Sequence, residues 1–216
     1  DVDSAAISFR IEAVSTGTLE KWNSSAWAAV TAGTTLISSG DKVRWKGAQD
    51  ANGTLNAFTL RAFDGELLSA TPVQVTVSVA AVNDLPTSTD DLTSFNEDTV
   101  QALAVSDFGT YFDVETPTLQ AVKIISLPNA ALGTLKLSGN TVAVNSFVTS
   151  AQLANGDFVF APVLNANGTT SFGFQVSDGT DTSLATYTLT INIIPVNDSP
   201  SDISLSANSI NENLPS

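Results

Sequence analysis

The stretch Val82-Asn83-Asp84-Leu85-Pro86 shows how this chain is organised, because it returns as Val196-Asn197-Asp198-Ser199-Pro200. The two copies lie 114 residues apart, as Asp198 and Asp84 show. A proline excludes helix at its own position and biases the preceding residue toward extended backbone. Each copy is therefore interpreted as a short, stiff, extended linker between folded modules.

Turn motifs on either side of the linker repeat at nearly the same distance, which is the signature of a tandem array. Gly17-Thr18-Leu19 returns as Gly133-Thr134-Leu135, and Asp64-Gly65 returns as Asp178-Gly179. The small drift between these offsets is expected when loops change length and strands keep their register. The predicted organisation is a repeat lacking its first strand over 1–82, a linker over 83–86, a complete repeat over 87–196, and a linker with the opening strand of a third repeat over 197–216.

Composition limits the class of protein. The chain has 216 residues, of which 43% are apolar and 14% charged, so it is expected to fold into two domains with their own cores. Cys and His are absent, which excludes disulfides and the usual zinc ligands. A net charge of −14 argues against nucleic acid as a partner and favours divalent cations.

Two further classes are argued against by what the sequence lacks. No His or Cys is present to activate a nucleophile, and no pair of opposed carboxylates is indicated, so the chain is not predicted to be an enzyme. No apolar run approaches the roughly 18 residues of a membrane span, so no transmembrane segment is predicted. No signal peptide opens the chain, and any export signal is expected elsewhere.

Apolar residues alternate along most of the chain, which is the period of a β-strand with one buried face. Ile7, Phe9 and Ile11 form one such run, and Val73 to Val79 another. Gly, Asn, Asp and Pro separate the runs. The pattern predicts an all-β protein made of antiparallel sandwiches of about seven strands, with one short helical turn near residues 148–153.

Strand length predicts which loops lie at each linker. A last strand over 184–194 rises about 3.3 Å per residue and spans roughly 35 Å, the length of a module. Asp178, just before that strand, is therefore expected beside the preceding linker, with Asn83 and Asp84. By the same geometry Glu97 is expected near the second linker.

The same argument places further oxygen-bearing side chains at the linkers. Asp50 and Asn52 are expected beside Asn83 and Asp84, while Asn165 and Asn167 are expected beside Asn197 and Asp198. Carboxylates and carboxamides that converge without a basic partner repel one another unless a hard cation such as Ca²⁺ binds them. For Asn52 and Asn167 the alternative is an ordinary solvated turn, since Asn-Gly is a common hairpin signal.

The combined pattern resembles the bacterial cadherin-like repeats of very large secreted adhesins. The motifs that carry the resemblance are the Val-Asn-Asp-x-Pro linker, Asn96-Glu97-Asp98, Asp113-Val114-Glu115 and Ser177-Asp178-Gly179. It implies an Ig-like Greek-key sandwich, an extracellular or cell-surface location, and Ca²⁺ between neighbouring repeats of the same chain. The implied function is a calcium-rigidified structural spacer.

The resemblance also implies three sets of calcium ligands. The implied first-joint set is Asp50, Asn52, Asn83, Asp84, Asp113, Glu115 and Asp178. The implied second-joint set is Glu97, Asn165, Asn167, Asn197 and Asp198. The implied set at the N-terminal tip is Asp1, Asp3 and Asp64. Ala80-Ala81-Val82 stands where such linkers usually carry an acidic residue, so we expect only about one or two ions at the first joint and affinities of about 10⁻⁴ to 10⁻³ M.

Three tryptophans favour a second interpretation, a calcium-dependent carbohydrate-binding module, and a homophilic cell–cell adhesion module is a further alternative. Trp22, Trp27 and Trp45 all lie in the first repeat and have no counterpart in the second. Core packing and strand propensity are the alternative explanation of these tryptophans, and core packing is the role we expect.

The tail over 201–216 predicts one further partner. It resembles an opening strand, with Glu212 matching Glu97, whereas residues 1–82 contain no segment that matches 86–112. An exposed sheet edge is a template for such a strand, so strand exchange between molecules is one hypothesis. The alternatives are that the missing strand lies outside the sequence or that the tail stays unpaired.

Overall fold

The computed structural model describes residues 7–199 and is built almost entirely of β-strands in antiparallel sheets, as the alternating pattern predicts. Within the described residues it divides into two compact units, with the boundary between Asn83 and Asp84. The first unit contains strands β1 (Ser8–Val14), β2 (Thr18–Trp22), β3 (Trp27–Ala29), β4 (Leu36–Ile37), β5 (Val43–Lys46), β6 (Gly53–Phe63) and β7 (Val73–Val79).

Over residues 84–199 the second unit contains nine strands and two short helices. The strands are β8 (Asp91–Asn96), β9 (Gln101–Ala102), β10 (Ala121–Ile124), β11 (Gly133–Leu137), β12 (Asn140–Thr141), β13 (Phe147–Thr149), β14 (Phe158–Pro162), β15 (Gly168–Ser177) and β16 (Tyr187–Ile194). A 3-10 helix covers Val105–Phe108, and the helix α1 covers Ser150–Ala154. In the part of the chain that is described, no helix is long and apolar enough to cross a membrane.

The first unit has two antiparallel sheets, in the orders β4-β1-β6-β7 and β3-β2-β5. Its buried core consists of Ile11, Leu19, Ala57 and Phe58. The alternation along β1 predicts that Phe9 is buried with Ile11, but Phe9 is 43% exposed. The second sheet has only three strands, of five, three and four residues, so we infer that it covers only part of the face of the first sheet.

The second unit is a more complete sandwich, with sheets in the orders β13-β10-β15-β16-β8 and β12-β11-β14-β9. One continuous core joins them, because side chains from both sheets bury the same interior. The aromatic residues that alternate along β14 and β15 are buried as predicted: Phe158, Phe160, Phe172 and Phe174 are at most 1% exposed. Burial on this scale is the main stabilising term for the unit.

One strand pair departs from the predicted antiparallel arrangement. Strand β8 pairs parallel with β16, from Asp91 opposite Leu189 to Asn96 opposite Ile194. Parallel neighbours require a long crossover, and here most of the unit lies between the two strands. Alternation along one strand cannot reveal the direction of its partner, so the sequence pattern did not show this pairing.

A capping box explains the position of one helix, and burial of Phe108 explains the role of the other. Helix α1 lies where the helical turn was predicted, and Thr149 and Gln152 form its capping box. The 3-10 helix places Phe108 in the core, where its ring lies 5.0 Å from Phe174 in an edge-on arrangement. Its ring is also within 6.4 Å of the Phe158 and Phe172 rings. Phe108 therefore joins the aromatic cluster at the centre of the sandwich.

The strand orders of the units correspond. The order β4-β1-β6-β7 of the first unit matches β13-β10-β15-β16 of the second, which carries β8 as an additional edge strand. Asp50 and Asn165 precede the equivalent long strands, and both have φ of 58° in the left-handed region. Left-handed backbone is uncommon in residues other than glycine, so its recurrence at equivalent turns is a specific similarity.

Replacing Phe108 with alanine should destabilise the second unit by about 3 to 5 kcal/mol, because it removes a fully buried ring from a close-packed cluster. Phe112→Ala is the matched control, since Phe112 is 64% exposed and its loss should cost about 0.5 kcal/mol or less. Urea unfolding followed by circular dichroism measures both. Equal losses for the two variants would contradict the assigned core.

Candidate functional site

Asp113 is a buried carboxylate, and only one of its two oxygens accepts hydrogen bonds from the described residues. Its side chain is 6% exposed, and Oδ1 accepts hydrogen bonds from the backbone N–H groups of Glu115 (3.1 Å) and Thr116 (2.5 Å). Oδ2 is buried and accepts no hydrogen bond from the residues described. A buried polar atom without a hydrogen-bond partner is unusual, so Asp113 is a candidate site residue.

The Tyr111 hydroxyl is a second buried polar group in the same region, and it too lacks a described hydrogen-bond partner. Burial, followed by the negative charges of Asp113 and Asp178, raises the pKa of Tyr111 to about 12. The hydroxyl and the two carboxylates therefore lie within electrostatic reach of one another. Sequence reasoning missed Tyr111, although it lies two residues before Asp113 and is one of only two tyrosines.

Asp178 lies in the turn that follows β15 and is 5% exposed. Its Oδ1 accepts hydrogen bonds from the backbone N–H groups of Thr180 (2.6 Å) and Asp181 (2.7 Å). Asp64 does the same in the first unit, accepting from the N–H groups of Leu67 and Glu66, and these bonds hold the pKa of Asp64 below its usual value. The repeated Asp-Gly motif thus forms the same side-chain turn in both units.

The beginning of the second unit is tied to the same acidic region. The Asp84 backbone N–H donates a hydrogen bond to Glu115 Oε2 over 3.1 Å, and Pro86 is buried. Four residues predicted for the first joint therefore lie in one region of this unit: Asp84, Asp113, Glu115 and Asp178.

Glu97 organises the opposite end of the second unit. It is 4% exposed, its Oε1 accepts from the Val196 N–H (2.9 Å), and its Oε2 lies 3.3 Å from Asn167 Nδ2, which donates to it. The Glu97 N–H also donates to the Ile194 carbonyl over 2.9 Å. The structure thus joins Glu97, Asn167 and the start of the second linker.

The other residues predicted for the second joint have no described hydrogen bond to Glu97. The Asn165 N–H donates to Asp98 Oδ1 over 2.7 Å, so this turn is held by an acidic residue that the sequence-based ligand set omits. Asp98 follows Glu97 in the Asn-Glu-Asp motif, which is the signal that could have indicated it. Asn197 and Asp198 are exposed.

In the first unit, the predicted ligands Asp50 and Asn52 are exposed and form a local turn, in which Asn52 Nδ2 donates to the Asp50 carbonyl over 3.3 Å. This is the arrangement expected of the solvated-turn alternative. Asn83 ends the first unit and is exposed. The predicted tip ligands Asp1 and Asp3, and the tail over 201–216, lie outside the described residues.

Ion pairs are distributed unevenly between the units. The four that are described all lie in the first unit, where for example the Arg10 guanidinium holds the pKa of Glu12 below its usual value. Within residues 7–199, neither Glu97 nor Asp113 forms an ion pair. Over the same range, no group of three or more Asp, Glu, His or Cys side chains is arranged to hold a metal ion.

The tryptophans divide into two environments. Trp45 packs against the core of the first unit, and its Nε1 donates to the Thr16 carbonyl over 2.8 Å. Trp22 and Trp27 lie opposite each other on β2 and β3, with ring centroids 5.4 Å apart. Among the described residues of the first unit, the core cluster includes neither of them. The expectation of core packing is therefore correct for Trp45 only.

Comparison with known proteins gives no family assignment. No protein-family model matches the chain, and no curated protein matches it. Similar solved structures include two endo-fucoidan hydrolases of glycoside hydrolase family 107, MfFcnA4 (14% identity, TM-score 0.29) and MfFcnA9 (14% identity, TM-score 0.25). These matches cover 93% and 86% of this chain, and 25% and 27% of the respective hydrolase chains. The chain thus spans about a quarter of the structures it matches.

Tyr111 should ionise near pH 12, and Asp113→Asn should lower its pKa while leaving it above the usual value of about 10, because burial is the larger cause. Absorbance titration at alkaline pH measures this, and the difference from Tyr111→Phe isolates Tyr111 from Tyr187. Since folding raises this pKa, the group's contribution to stability should fall between about pH 10 and pH 12. An unchanged pKa in Asp113→Asn would show that the two groups are not close.

Proposed function

We propose that this chain is a calcium-rigidified structural spacer of a bacterial cell-surface or secreted adhesin. The observation that carries the proposal is that Glu97 and Asp113 are 4% and 6% exposed and form no ion pair within residues 7–199. Glu97 lies at the end of β8, whereas Asp113 lies with Asp178 at the end of β15. Because β15 and β16 are antiparallel and Glu97 adjoins the end of β16, the two carboxylates lie at opposite ends of the second unit.

Burying an ionised carboxylate without a countercharge costs several kcal/mol, so these positions favour a bound cation. Calcium suits them because it takes about six to eight oxygen ligands from carboxylates, carboxamides and backbone carbonyls. At the first end Asp113 Oδ2 would bind the ion. Asp84 and Glu115 would join it only after their side chains turn toward it, since within residues 7–199 no three acidic side chains are already arranged for a metal ion. At the other end Glu97 and Asn167 would contribute, after Asn167 turns its carboxamide oxygen toward the ion.

The spacer role follows from where these residues lie in sequence. Asp84 belongs to the first Val-Asn-Asp-x-Pro linker, and Glu97 contacts Val196 in the second. A cation bound at either end would therefore restrict the adjoining linker. The matching strand orders and the matching left-handed turns support two copies of one cadherin-like module. The proposed partners are neighbouring repeats of the same chain, and the proposed location is extracellular.

Calcium should raise the melting temperature of the full chain, because a ligand that binds only the folded state at about 100 times its Kd adds roughly 2.7 kcal/mol. Asp113→Asn should remove part of the rise. In chelator the same variant should melt at or above the wild-type temperature, since it removes a buried uncompensated charge. Differential scanning calorimetry in calcium and in chelator measures both effects.

Asp157→Asn is the matched control for this experiment, because it removes the same charge from a side chain with no described ion pair. It should leave the calcium-dependent rise intact. Identical wild-type melting in calcium and in chelator would contradict the proposal, as would an equal loss of the rise in both variants.

Calcium should also narrow the distribution of maximum dimensions of the chain in solution, because a bound cation would limit bending at the linker over residues 83–86. Small-angle scattering in calcium and in chelator measures this change. Asp113→Asn should give the broader distribution in both solutions. If calcium raised the melting temperature but left the scattering unchanged, the ion would stabilise the modules without stiffening the chain, and the spacer mechanism would be wrong.

A further inference from the structure

The outer face of the sheet β3-β2-β5 carries aromatic and basic side chains together. Leu19 on β2 and Trp45 on β5 are paired and point to the core, so the residues that alternate with them point outward. We call this surface the Trp/Arg face. Its members are Glu20, Trp22, Trp27, Lys42, Arg44 and Lys46.

Positive charge is concentrated on this face. Lys42, Arg44 and Lys46 are two residues apart along β5 and its start, so their side chains leave the same side of the strand about 6.6 Å apart. They are three of only eight basic residues in a chain of net charge −14. All three are exposed, and in the described part of the chain neither Lys42 nor Lys46 forms an ion pair.

The aromatic part of the face is held rigidly. Trp22 and Trp27 face each other across the β2–β3 hairpin, and the Arg44 guanidinium lies 4.5 Å from the Trp27 ring centroid. The hairpin turn is fixed because Asn23 Oδ1 accepts hydrogen bonds from the N–H groups of Ser25 (3.2 Å) and Ala26 (2.9 Å). A ligand would therefore meet a preformed surface, which lowers the entropic cost of binding.

Hairpin stability explains only part of this arrangement. A cross-strand aromatic pair contributes about 0.2 to 1 kcal/mol to a sheet, which accounts for Trp22 facing Trp27. It does not account for the row of three cations beside them, of which only Arg44 is paired with an acidic residue, Glu20. Exposed like charges along one strand repel one another and add nothing to folding.

We propose that the Trp/Arg face binds an anionic polysaccharide, one that carries carboxylate or sulfate groups. The half-buried Trp22 ring offers a flat apolar surface against which a sugar ring can pack, and the cations at regular intervals match charges repeated along a chain. Nucleic acid fits less well, because single strands stack successive bases on several aromatic rings, whereas Arg44 covers the Trp27 ring and leaves only Trp22 on this face. This inference does not depend on calcium.

The test is affinity electrophoresis of the full chain, in chelator, through gels containing dextran sulfate, alginate or uncharged dextran, with single-stranded DNA as a competitor. We expect retardation by at least one of the two anionic polysaccharides and none by dextran. The binding should weaken as salt rises. Comparison of dextran sulfate with alginate shows whether sulfate or carboxylate is preferred.

Two double variants with the same change of charge decide where binding occurs. Lys42→Gln with Lys46→Gln should raise the Kd for the retarding polysaccharide about fivefold or more, because it removes two exposed charge contacts. Lys123→Gln with Lys136→Gln removes the two lysines of the second unit and should leave the Kd within about twofold. Trp22→Ala should weaken binding as well.

Three results would overturn the proposal. They are no retardation by either anionic polysaccharide at low salt, an equal loss of affinity in the two double variants, and displacement by single-stranded DNA at lower concentration than by free polysaccharide. The last would identify the face as a nucleic-acid surface. Circular dichroism of each variant checks that the first unit is folded.

Discussion

Burial of carboxylates without cationic partners is the constraint on which the second unit depends. Asp113 and Glu97 lie at its two ends, and each anchors backbone of a neighbouring segment through one or both oxygens. Such groups are costly to bury, yet here they position Glu115, Asn167 and the residues that lead into both linkers. A cation at these positions would offset the cost and fix the linkers at the same time.

The two units differ in their number of basic residues and ion pairs. Six of the eight basic residues lie in the first 83 positions, and the described ion pairs are there as well. The second unit has a large aromatic core but only Lys123 and Lys136 to balance its acids. This difference separates two proposed roles within one chain: cation binding at the ends of the second unit, and binding of anionic polysaccharide on one face of the first.

Much of the fold could be predicted from the sequence because alternation reports which face of a strand is buried. Phe158, Phe160 and Phe172 are buried as that pattern requires. Alternation of apolar residues does not show the direction of the neighbouring strand, so it did not predict the parallel pairing of β8 with β16. It also failed for Phe9 because burial depends on how far the opposite sheet extends, which no local pattern contains. For the site, strand length predicted Glu97 and Asn167 at one end, and the resemblance implied Asp113 with Asp178 at the other. The raised pKa of Tyr111 depends on burial, which only the folded unit shows.

Binding of a calcium ion at Asp113 is tested most directly by the anomalous diffraction of a crystal of the full chain grown in millimolar calcium. We expect an anomalous peak about 2.3 to 2.6 Å from Asp113 Oδ2, with further oxygen ligands that include Glu115 or Asp84. A well-ordered structure in which Asp113 Oδ2 instead accepts a hydrogen bond from water or from the Tyr111 hydroxyl, with no peak nearby, would contradict it.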